Sequence, residues 1–455
     1  MANTLPAVLS LKIEEVDAPE KRGKYTVSVI GCGQRGILYA LAFADAGFKV
    51  TCADPDQSVI RRISKGNALL GDREVESRLK GFVRTGQLTA TSELKSAVSQ
   101  SDIIILTVSP KIDVKKNPDY SETENTCKQV GAALHRGSLV VYGGVAGFGF
   151  TEGVVKEALE NTSGLKVGED FGLAYTPAQE IMQQGTKPIG SHELIIAAGD
   201  KVSLNSAAVI FETIAKKGVK RISDVETAEL AALVAAAKHD TNIALANEMA
   251  VFCENAGIDY AETLKLINND AGESGTAPTI AEEENRNEAY LLLETAENLN
   301  TKLRLPTLAR QVNEEMIRHA VNLTQDALRS GGKTLRRARI ALLGTAKTGT
   351  AAAAFIELLE TKGAKVSRYD PQASENGQVD ATRSLKRTLN ETVEGTDCVV
   401  ILAGQEQLKR LNLKKLKAIM KSPAALIDLA GLVEPKKVED EGFTYRGLGR
   451  GTRKK

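Results

Sequence analysis

Three glycines in the stretch "YTVSVIGCGQRG" (25–36) have the spacing of a phosphate-binding turn. Gly31, Gly33 and Gly36 form GxGxxG between an apolar run and a helical pattern. Gly31 permits a tight turn, Gly33 lets the backbone approach a pyrophosphate, and Gly36 lets the helix pack closely on the sheet. The helix N-terminus would offer amide donors and a positive dipole end to phosphates. The pattern predicts dinucleotide binding; the alternative is a glycine turn retained only for packing.

A carboxylate at the end of the next predicted strand indicates which dinucleotide binds. Asp54 follows "KVTCA" and lies 18 residues beyond Gly36. It can accept hydrogen bonds from both ribose hydroxyls and would repel a 2′-phosphate, so NAD is favoured over NADP. Arg35, inside the motif, is either a phosphate contact or an exposed charge. The other residues expected to bind the cofactor are Gln34, Ser109 and Pro110.

Apolar runs place this turn in an α/β domain. Strand-like runs recur at "DIIILTV" (102–108), "SLVVYGG" (138–144) and "ELIIAAG" (193–199), with helical segments between several of them. Because strand, glycine turn, helix and strand make one βαβ unit, residues 24–200 are predicted to form a doubly wound parallel, NAD-binding domain.

The rest of the chain is predicted to contain a helical region and a second α/β domain. No strand pattern is found from about 203 to 330, so residues 201–333 are predicted to be helical. A long helix is expected at 226–257, and its alanine-rich surface suits either an internal core or a subunit interface. Strand patterns resume at "ARIALLG", "DCVVILAG" and "AALIDLAG", so residues 334–455 are predicted to be Rossmann-like. The expected fold class is α/β, with two Rossmann-like doubly wound domains joined by a central helical region.

Composition and cysteine usage narrow the class of protein. There are 59 basic and 58 acidic residues, which argues against a broad nucleic-acid footprint. Five cysteines without a CxxC pair and four histidines without HxxxH spacing predict a reduced, cytoplasmic chain without a metal site. We see no signal peptide, and no apolar stretch reaches the roughly 18 residues that a membrane span needs.

The motifs, taken in their order, resemble the UDP-glucose/GDP-mannose dehydrogenase family from about Tyr25 to Gly451. They are "VSVIGCGQRG", "SDIIILTVSPK" followed by "NPDYS", "SLVVYGG", "ANEMAVFCENAGID", "RQVNEEM", "GAKVSRYDP" and "GFTYRGLGRG". The resemblance implies an NAD domain, a central helix that pairs two subunits, and a C-terminal domain that helps hold a nucleotide sugar. Such enzymes oxidise the sugar's C6 hydroxyl to a carboxylate with two NAD, through a thiohemiacetal on a cysteine.

The resemblance also locates the family's catalytic positions, and this sequence departs from the pattern at each one. The cysteine loop corresponds to "NDAGESGTAPTIAEEE" (269–284), where Ala277 or Thr279 aligns with the cysteine. The lysine and asparagine of the central helix align with Ala232 and Ala236. The remaining departures are Ala178 for a glutamate, Val145 for a threonine, Ala430 for an arginine, and a shorter loop in "LLGTAKTGTAAAAF". Such correlated losses are expected when selection on one activity relaxes.

Few residues could replace the missing groups. Lys238 and Asn242 repeat the KxxxN spacing six residues downstream, but on a helix this rotates the pair by about 120° and moves it by about 9 Å. They are weak catalytic candidates; the alternative is a polar helix face. His239 could act as a base, or be a structural or solvated histidine. The loop hydroxyls of Ser274, Thr276 and Thr279 would need a neighbouring base, and Glu282, Glu283 and Glu284 suit the start of a helix.

Three functions remain open at this point. In the first, the chain is an NAD-dependent oxidoreductase of a nucleotide sugar, either with the full oxidation or limited to a two-electron step that needs no thiol. Alternatively it is a non-catalytic NAD-binding scaffold or regulator with the same fold. The third reading is a two-electron dehydrogenase of an unrelated small alcohol or hydroxy acid, with Lys238 or His239 as its base.

Overall fold

A computed structural model describes residues 8–67, 73–113, 115–177, 189–271, 275–280, 287–344, 351–371, 385–402 and 406–451. Its contacts divide the chain into two compact units. The first comprises Met1–Ala237 with Asn287–Lys302, and the second comprises Lys238–Arg286 with Leu303–Lys455. The three domain ranges given above stay a prediction.

The first unit is built on an eight-stranded sheet. Its sheet strands are β1 (Thr26–Ile30), β2 (Lys49–Ala53), β3 (Leu88–Thr91), β4 (Ile103–Leu106), β7 (Leu139–Tyr142), β8 (Gly172–Tyr175), β9 (Leu194–Ala197) and β10 (Val219–Ile222), and a small antiparallel pair is formed by β5 (Lys111–Ile112) and β6 (Pro118–Asp119). The order across the sheet is β10-β9-β8-β7-β4-β1-β2-β3. The predicted α/β architecture is therefore present, with strands β7 and β4 at the centre of the sheet.

Most helices of this unit connect strands of the sheet; the first of them precedes β1 and the last follows β10. They are α1 (Pro19–Arg22), α2 (Gln34–Asp45), α3 (Gln57–Ser64), α4 (Arg73–Thr85), α5 (Leu94–Ser99), α6 (Ser121–Gly131), α7 (Lys156–Ser163), α8 (Lys201–Glu212) and α11 (Asn287–Asn298). Two apolar clusters form its core. One includes Val27, Val29, Phe43 and Phe211, and the other includes Ile30, Ile104, Val140 and Tyr142. Residues alternating along β1 thus enter different clusters, as expected for a strand buried on both faces.

Two features of this sheet differ from the prediction. Strand β9 pairs with β8 in the antiparallel direction, so the sheet is not wholly parallel. Strand β10 lies at 219–222, where the sequence analysis expected no strand. That expectation was wrong because β10 is an edge strand, "VKRI", whose two central charged residues are exposed and leave no apolar run to recognise.

The long helix α9 (Val225–Ala256) confirms the helix predicted at 226–257. It crosses the division between the units, since the first unit ends at Ala237 and the second begins at Lys238. The other helices of the second unit that precede its sheet are α10 (Tyr260–Ala271) and α12 (Arg304–Ser330).

The second unit contains a five-stranded parallel sheet, which confirms the predicted C-terminal Rossmann-like domain. Its strands are β11 (Arg339–Leu343), β12 (Lys365–Tyr369), β13 (Cys398–Ile401), β14 (Ala425–Asp428) and β15 (Thr444–Gly447), in the order β12-β11-β13-β14-β15. The helices are α13 (Ala351–Thr361), α14 (Leu389–Val393), α15 (Leu413–Ile419) and α16 (Pro435–Asp440). Among the helices described for both units, none has the length and apolar character needed to cross a bilayer.

Candidate functional site

The glycine turn between β1 and α2 has a different steric reason for each glycine. Gly31 has a φ of +88°, and a Cβ there would lie 2.8 Å from Cγ2 of Val108. A Cβ on Gly36 would lie only 2.1 Å from the carbonyl oxygen of Gly31. A Cβ on Gly33 would meet no heavy atom of the described residues within 4 Å. The first and third glycines are thus required by the fold, while Gly33 faces open space.

The open space at Gly33 lies at the N-terminus of a 12-residue helix. Gly33 precedes α2 in an extended conformation, and having no side chain it cannot cap the helix itself. Gln34 begins the helix and is partly buried. The first amide groups of a helix have no intrahelical acceptor and carry the positive end of the dipole, so this turn fits a phosphate ligand.

Asp54 is held against this turn by two backbone amides. Its carboxylate accepts hydrogen bonds from the N–H of Cys32 at 2.7 Å and from the N–H of Asp56 at 2.9 Å. A carboxylate offers about four acceptor positions, so both oxygens can still accept from a diol. The side chain lies directly after β2, where the sequence predicted a ribose contact.

The guanidinium of Arg35 is fixed by neighbouring side chains and is not the exposed charge considered above. Its Nη1 donates to the Oγ of Ser109 at 3.2 Å, and its Nη2 lies 3.9 Å from a carboxylate oxygen of Glu288. Only 18% of the Arg35 side chain is exposed. The Ser109 hydroxyl also accepts from the N–H of Val145 at 2.9 Å, so it joins the loops that follow β4 and β7. Pro110, the next residue, is buried.

A buried carboxylate from α9 holds the loop that follows β7. Glu229 accepts from the N–H of Gly149 at 2.7 Å and from the N–H of Thr151 at 2.8 Å. Burial raises the pKa of Glu229 to about 7, although these amide donors act in the opposite direction. The carboxylate therefore anchors the first residues of α9 to the loop at the carboxyl edge of the first sheet.

The two weak catalytic candidates on α9 are exposed. Lys238 and Asn242 both project from the surface of the second unit, whereas Asp240 between them is buried. Asp240 accepts from Nε of Arg310 at 2.6 Å and from Nδ2 of Asn313 at 2.9 Å. The inward face of α9 at this point is therefore occupied by a buried ion pair.

The loop that was expected to correspond to the family's cysteine segment is hydrogen-bonded to this same helix. The N–H of Thr279 donates to Oδ1 of Asn247 at 2.8 Å, and Asn247 in turn donates to Asn313 at 2.9 Å. Ala277 is exposed and Thr279 is partly buried. The candidates Ser274, Glu282, Glu283, Glu284 and Ala178 and the glycine-containing segment 345–350 lie outside the described residues.

All five cysteines are buried in the units that contain them: Cys32, Cys52, Cys127, Cys253 and Cys398. Burial raises the pKa of the Cys127 thiol to about 12 and raises the pKa of Cys32 and Cys398 as well. Because the thiolate is the nucleophilic form, the raised pKa makes these three thiols, Cys32, Cys127 and Cys398, poor nucleophiles at neutral pH.

Two acidic residues near the turn were missed by sequence reasoning, Glu229 and Glu288. Each helix also carries exposed acids, Glu226 on α9 and Glu297 on α11, so the sequence distinguishes neither residue from a solvated helix position. The only available signal for Glu229 was its place within "AELAAL", where an acid interrupts an otherwise apolar run.

Matches to known protein families agree with this geometry. Residues 25–214 match the NAD-binding domain of the UDP-glucose/GDP-mannose dehydrogenase family, residues 226–315 match its central domain, and residues 348–435 match its UDP-binding domain. The chain belongs to this family. The predicted cofactor, NAD, is confirmed by the match that includes the glycine turn and Asp54.

Individual members of the family are similar over almost the whole chain. UDP-N-acetyl-D-mannosamine dehydrogenase of Pyrococcus horikoshii is 28% identical over 93% of this chain and 99% of its own. UDP-glucose 6-dehydrogenase of Rhizobium meliloti is 25% identical over 93% of this chain and 99% of its own. The solved structure of UDP-D-ManNAc dehydrogenase from Pyrococcus horikoshii has a TM-score of 0.78 at 27% identity, and covers 94% of this chain and 100% of that one.

The glycine geometry predicts that one alanine substitution impairs stability and another impairs NAD binding. Gly36→Ala should lower the free energy of unfolding by about 3 kcal/mol or more, because its Cβ collides with backbone. Gly33→Ala should change stability by less than about 1 kcal/mol and should weaken NAD binding at least about tenfold, because its Cβ enters the open space. Urea denaturation and calorimetry with NAD measure the two effects. Equal stability of the two variants would contradict this assignment.

The position of Glu229 predicts a pH-dependent stability. Its pKa of about 7 lies above the ordinary 4.5, so the folded chain holds this proton more tightly than the unfolded chain does. The stabilisation of the folded state by this proton is fully present below pH 4.5. It is lost as pH rises to about 7, which lowers the free energy of unfolding by an amount on the order of 3 kcal/mol. Glu229→Gln should remove this loss.

Denaturation midpoints at pH 5 and pH 7.5 test this expectation, with Glu226→Gln as the matched control on the exposed side of the same helix. The denaturation midpoint of Glu229→Gln should rise relative to that of wild type between pH 5 and pH 7.5. A difference that is the same at both pH values, or that shifts as much for Glu226→Gln, would contradict it.

Proposed function

We propose that this chain binds NAD and a UDP-sugar but does not complete the four-electron oxidation of an alcohol to a carboxylate. The observation that carries the proposal is the combination of an intact dinucleotide turn with five buried thiols. Without an accessible thiol, the largest oxidation that the chain could carry out is a two-electron step from alcohol to carbonyl. Bound NAD would supply the hydride acceptor for that step.

The residues of the first unit account for cofactor binding in this proposal. The amides at the start of α2 hold the pyrophosphate, and the space in front of Gly33 lets it approach the backbone. Asp54 accepts from the ribose hydroxyls, because the amides of Cys32 and Asp56 fix its carboxylate beside the turn. Ser109 keeps the loops after β4 and β7 in contact.

The chemistry of sulfur limits the reaction. Oxidation beyond the carbonyl through a thiohemiacetal requires a thiolate within reach of the substrate. Either Ala277 or Thr279 occupies the position of the family's cysteine, depending on the alignment gap, and the chain's own cysteines are packed in cores. The resemblance also places alanines, Ala232 and Ala236, where the family uses lysine and asparagine, and an alanine cannot stabilise an alkoxide.

The sugar ligand is inferred from the C-terminal match and from the relatives. Residues 348–435 match the family's UDP-binding domain, and the similar proteins named above act on UDP-N-acetyl-D-mannosamine and UDP-glucose. Both sugars are therefore the first ligands to try.

A non-catalytic role as an NAD-binding scaffold or regulator is the second candidate. The exposure of Lys238 and Asn242 favours it, because these weak catalytic candidates lie on the solvent side of α9 in the second unit. The third candidate, a dehydrogenase of an unrelated alcohol, relied on Lys238 or His239 as the base. It loses support from Lys238, which is exposed, whereas His239 is partly buried.

A turnover assay separates these functions. Wild type, Ala277→Cys and Thr279→Cys are mixed with NAD and UDP-N-acetyl-D-mannosamine or UDP-glucose, and NADH absorbance and uronate are recorded. We expect no uronate from any of the three, because a cysteine restores neither the lysine nor the asparagine. At most one NADH per sugar is consistent with the two-electron reading, and NAD binding without NADH selects the scaffold. Uronate formation by wild type or by either cysteine variant would overturn the proposal.

We also propose that the chain forms a homodimer through α9. The helix leaves large apolar side chains exposed at helical spacing, among them Val234, Leu245, Met249 and Phe252, the last at 66%. Spacings of three and four residues place Leu245, Met249 and Phe252 on one side of the helix. An exposed apolar stripe of this kind is typical of an interface.

Sedimentation of wild type and Phe252→Glu tests the dimer, since a charge in an apolar interface should shift the population to monomer at micromolar concentration. Leu299→Glu, at another exposed apolar side chain outside α9, is the matched control and should leave the dimer intact. A monomeric wild type, or a dimer unaffected by Phe252→Glu, would refute this interface.

A further inference from the structure

Arg35, the arginine of the glycine motif, faces an acidic side chain from a distant part of the chain. Arg35 is the second residue of α2, immediately after the turn that fits a phosphate. Glu288, near the start of α11, places Oε1 3.9 Å from Nη2 of Arg35. The Glu288 residue is only 5% exposed, so solvent screens this pair weakly.

The distance indicates a pair that is attractive but not locked. Charge-assisted hydrogen bonds between guanidinium and carboxylate groups are about 2.7 to 2.9 Å long. The 3.9 Å separation is longer, and the nearest acceptor of Nη1 is instead the neutral hydroxyl of Ser109 at 3.2 Å. The guanidinium therefore has room to improve its contacts by turning towards a stronger anion.

Arg35 shares its surroundings with two acids, Glu229 and Glu288. Burial raises the pKa of the Tyr175 phenol, and Glu229 and Glu288 raise it further while Arg35 lowers it. These three charged groups thus act on one buried ring at the end of β8. A pyrophosphate at the start of α2 would therefore compete with Glu288 for the guanidinium of Arg35.

We propose that Glu288 is an internal competitor of the dinucleotide: it offsets the charge of Arg35, and the pyrophosphate binds by drawing the guanidinium away from it. This inference rests on the proposed binding of NAD and adds a residue that sets its affinity. Glu288 acts through Arg35 and is a positioning residue, since it need not touch the cofactor. The anion that it opposes is defined by chemistry, a diphosphate ester held at a helix N-terminus.

A double-mutant cycle tests the coupling. Calorimetry at low ionic strength would give the NAD dissociation constants of wild type, Glu288→Gln, Arg35→Met and the double variant. Glu288→Gln should tighten NAD binding about three- to tenfold, and Arg35→Met should weaken it by a similar factor. In the Arg35→Met background the Glu288→Gln substitution should change affinity by less than about twofold, because its effect passes through Arg35.

Two controls make the cycle specific. Glu294→Gln lies on the same helix, where its carboxylate accepts from the Tyr120 hydroxyl, and should leave NAD affinity unchanged. Adenosine lacks a phosphate, so Glu288→Gln should strengthen binding of ADP-ribose but not of adenosine. If Glu288→Gln proves unstable by circular dichroism, Glu288→Asp, which withdraws the carboxylate, must tighten NAD in the same direction.

The possible failures are distinguishable. If neither wild type nor any variant binds NAD, the proposed function fails. If wild type binds NAD and Glu288→Gln leaves the affinity unchanged or weakens it, the inference fails alone. It also fails if the effect of Glu288→Gln persists in the absence of Arg35.

Discussion

The close approach of helix α2 to strand β1 is the constraint on which the candidate site depends. Gly36 packs against the carbonyl of Gly31 so tightly that even a methyl group would collide with it. This contact fixes where α2 begins, and therefore where its unpaired amides point. It also fixes the Cα position of Arg35 and the position of the Cys32 amide, which donates to Asp54. One backbone contact thus aligns a dipole, a cation and a carboxylate.

Buried acids lie close to this turn, although the ligand that the turn fits is itself an anion. The Arg35 guanidinium beside the turn already faces one buried acid, Glu288, and a second acid, Glu229, is buried nearby. Glu229 contributes to the fold by accepting hydrogen bonds from two loop amides. Glu288, in our proposal, lowers the affinity for a phosphate by offsetting the charge of Arg35. Carboxylates in the first unit therefore serve both architecture and binding, whereas the thiols are confined to cores.

The elements that could be predicted from the sequence are those whose pattern lies within one short stretch of the chain. The spacing of Gly31, Gly33 and Gly36 predicted the turn, and the alanine-rich run predicted α9 to within one residue at each end. Strand β10 was missed because an exposed edge strand has no apolar pattern. The roles of Glu229 and Glu288 could not be predicted, because their partners are about 80 and 250 residues away in the chain and only folding brings them together.

The crystal structure of the chain with NAD bound tests the central claim most directly. The account predicts the pyrophosphate at the amides of Gly33 and Gln34, a ribose diol on Asp54, and an Arg35 guanidinium displaced from Glu288. Every cysteine sulfur should remain in its core, away from the nicotinamide ring. A dinucleotide bound elsewhere, or a sulfur atom in contact with the nicotinamide, would contradict it.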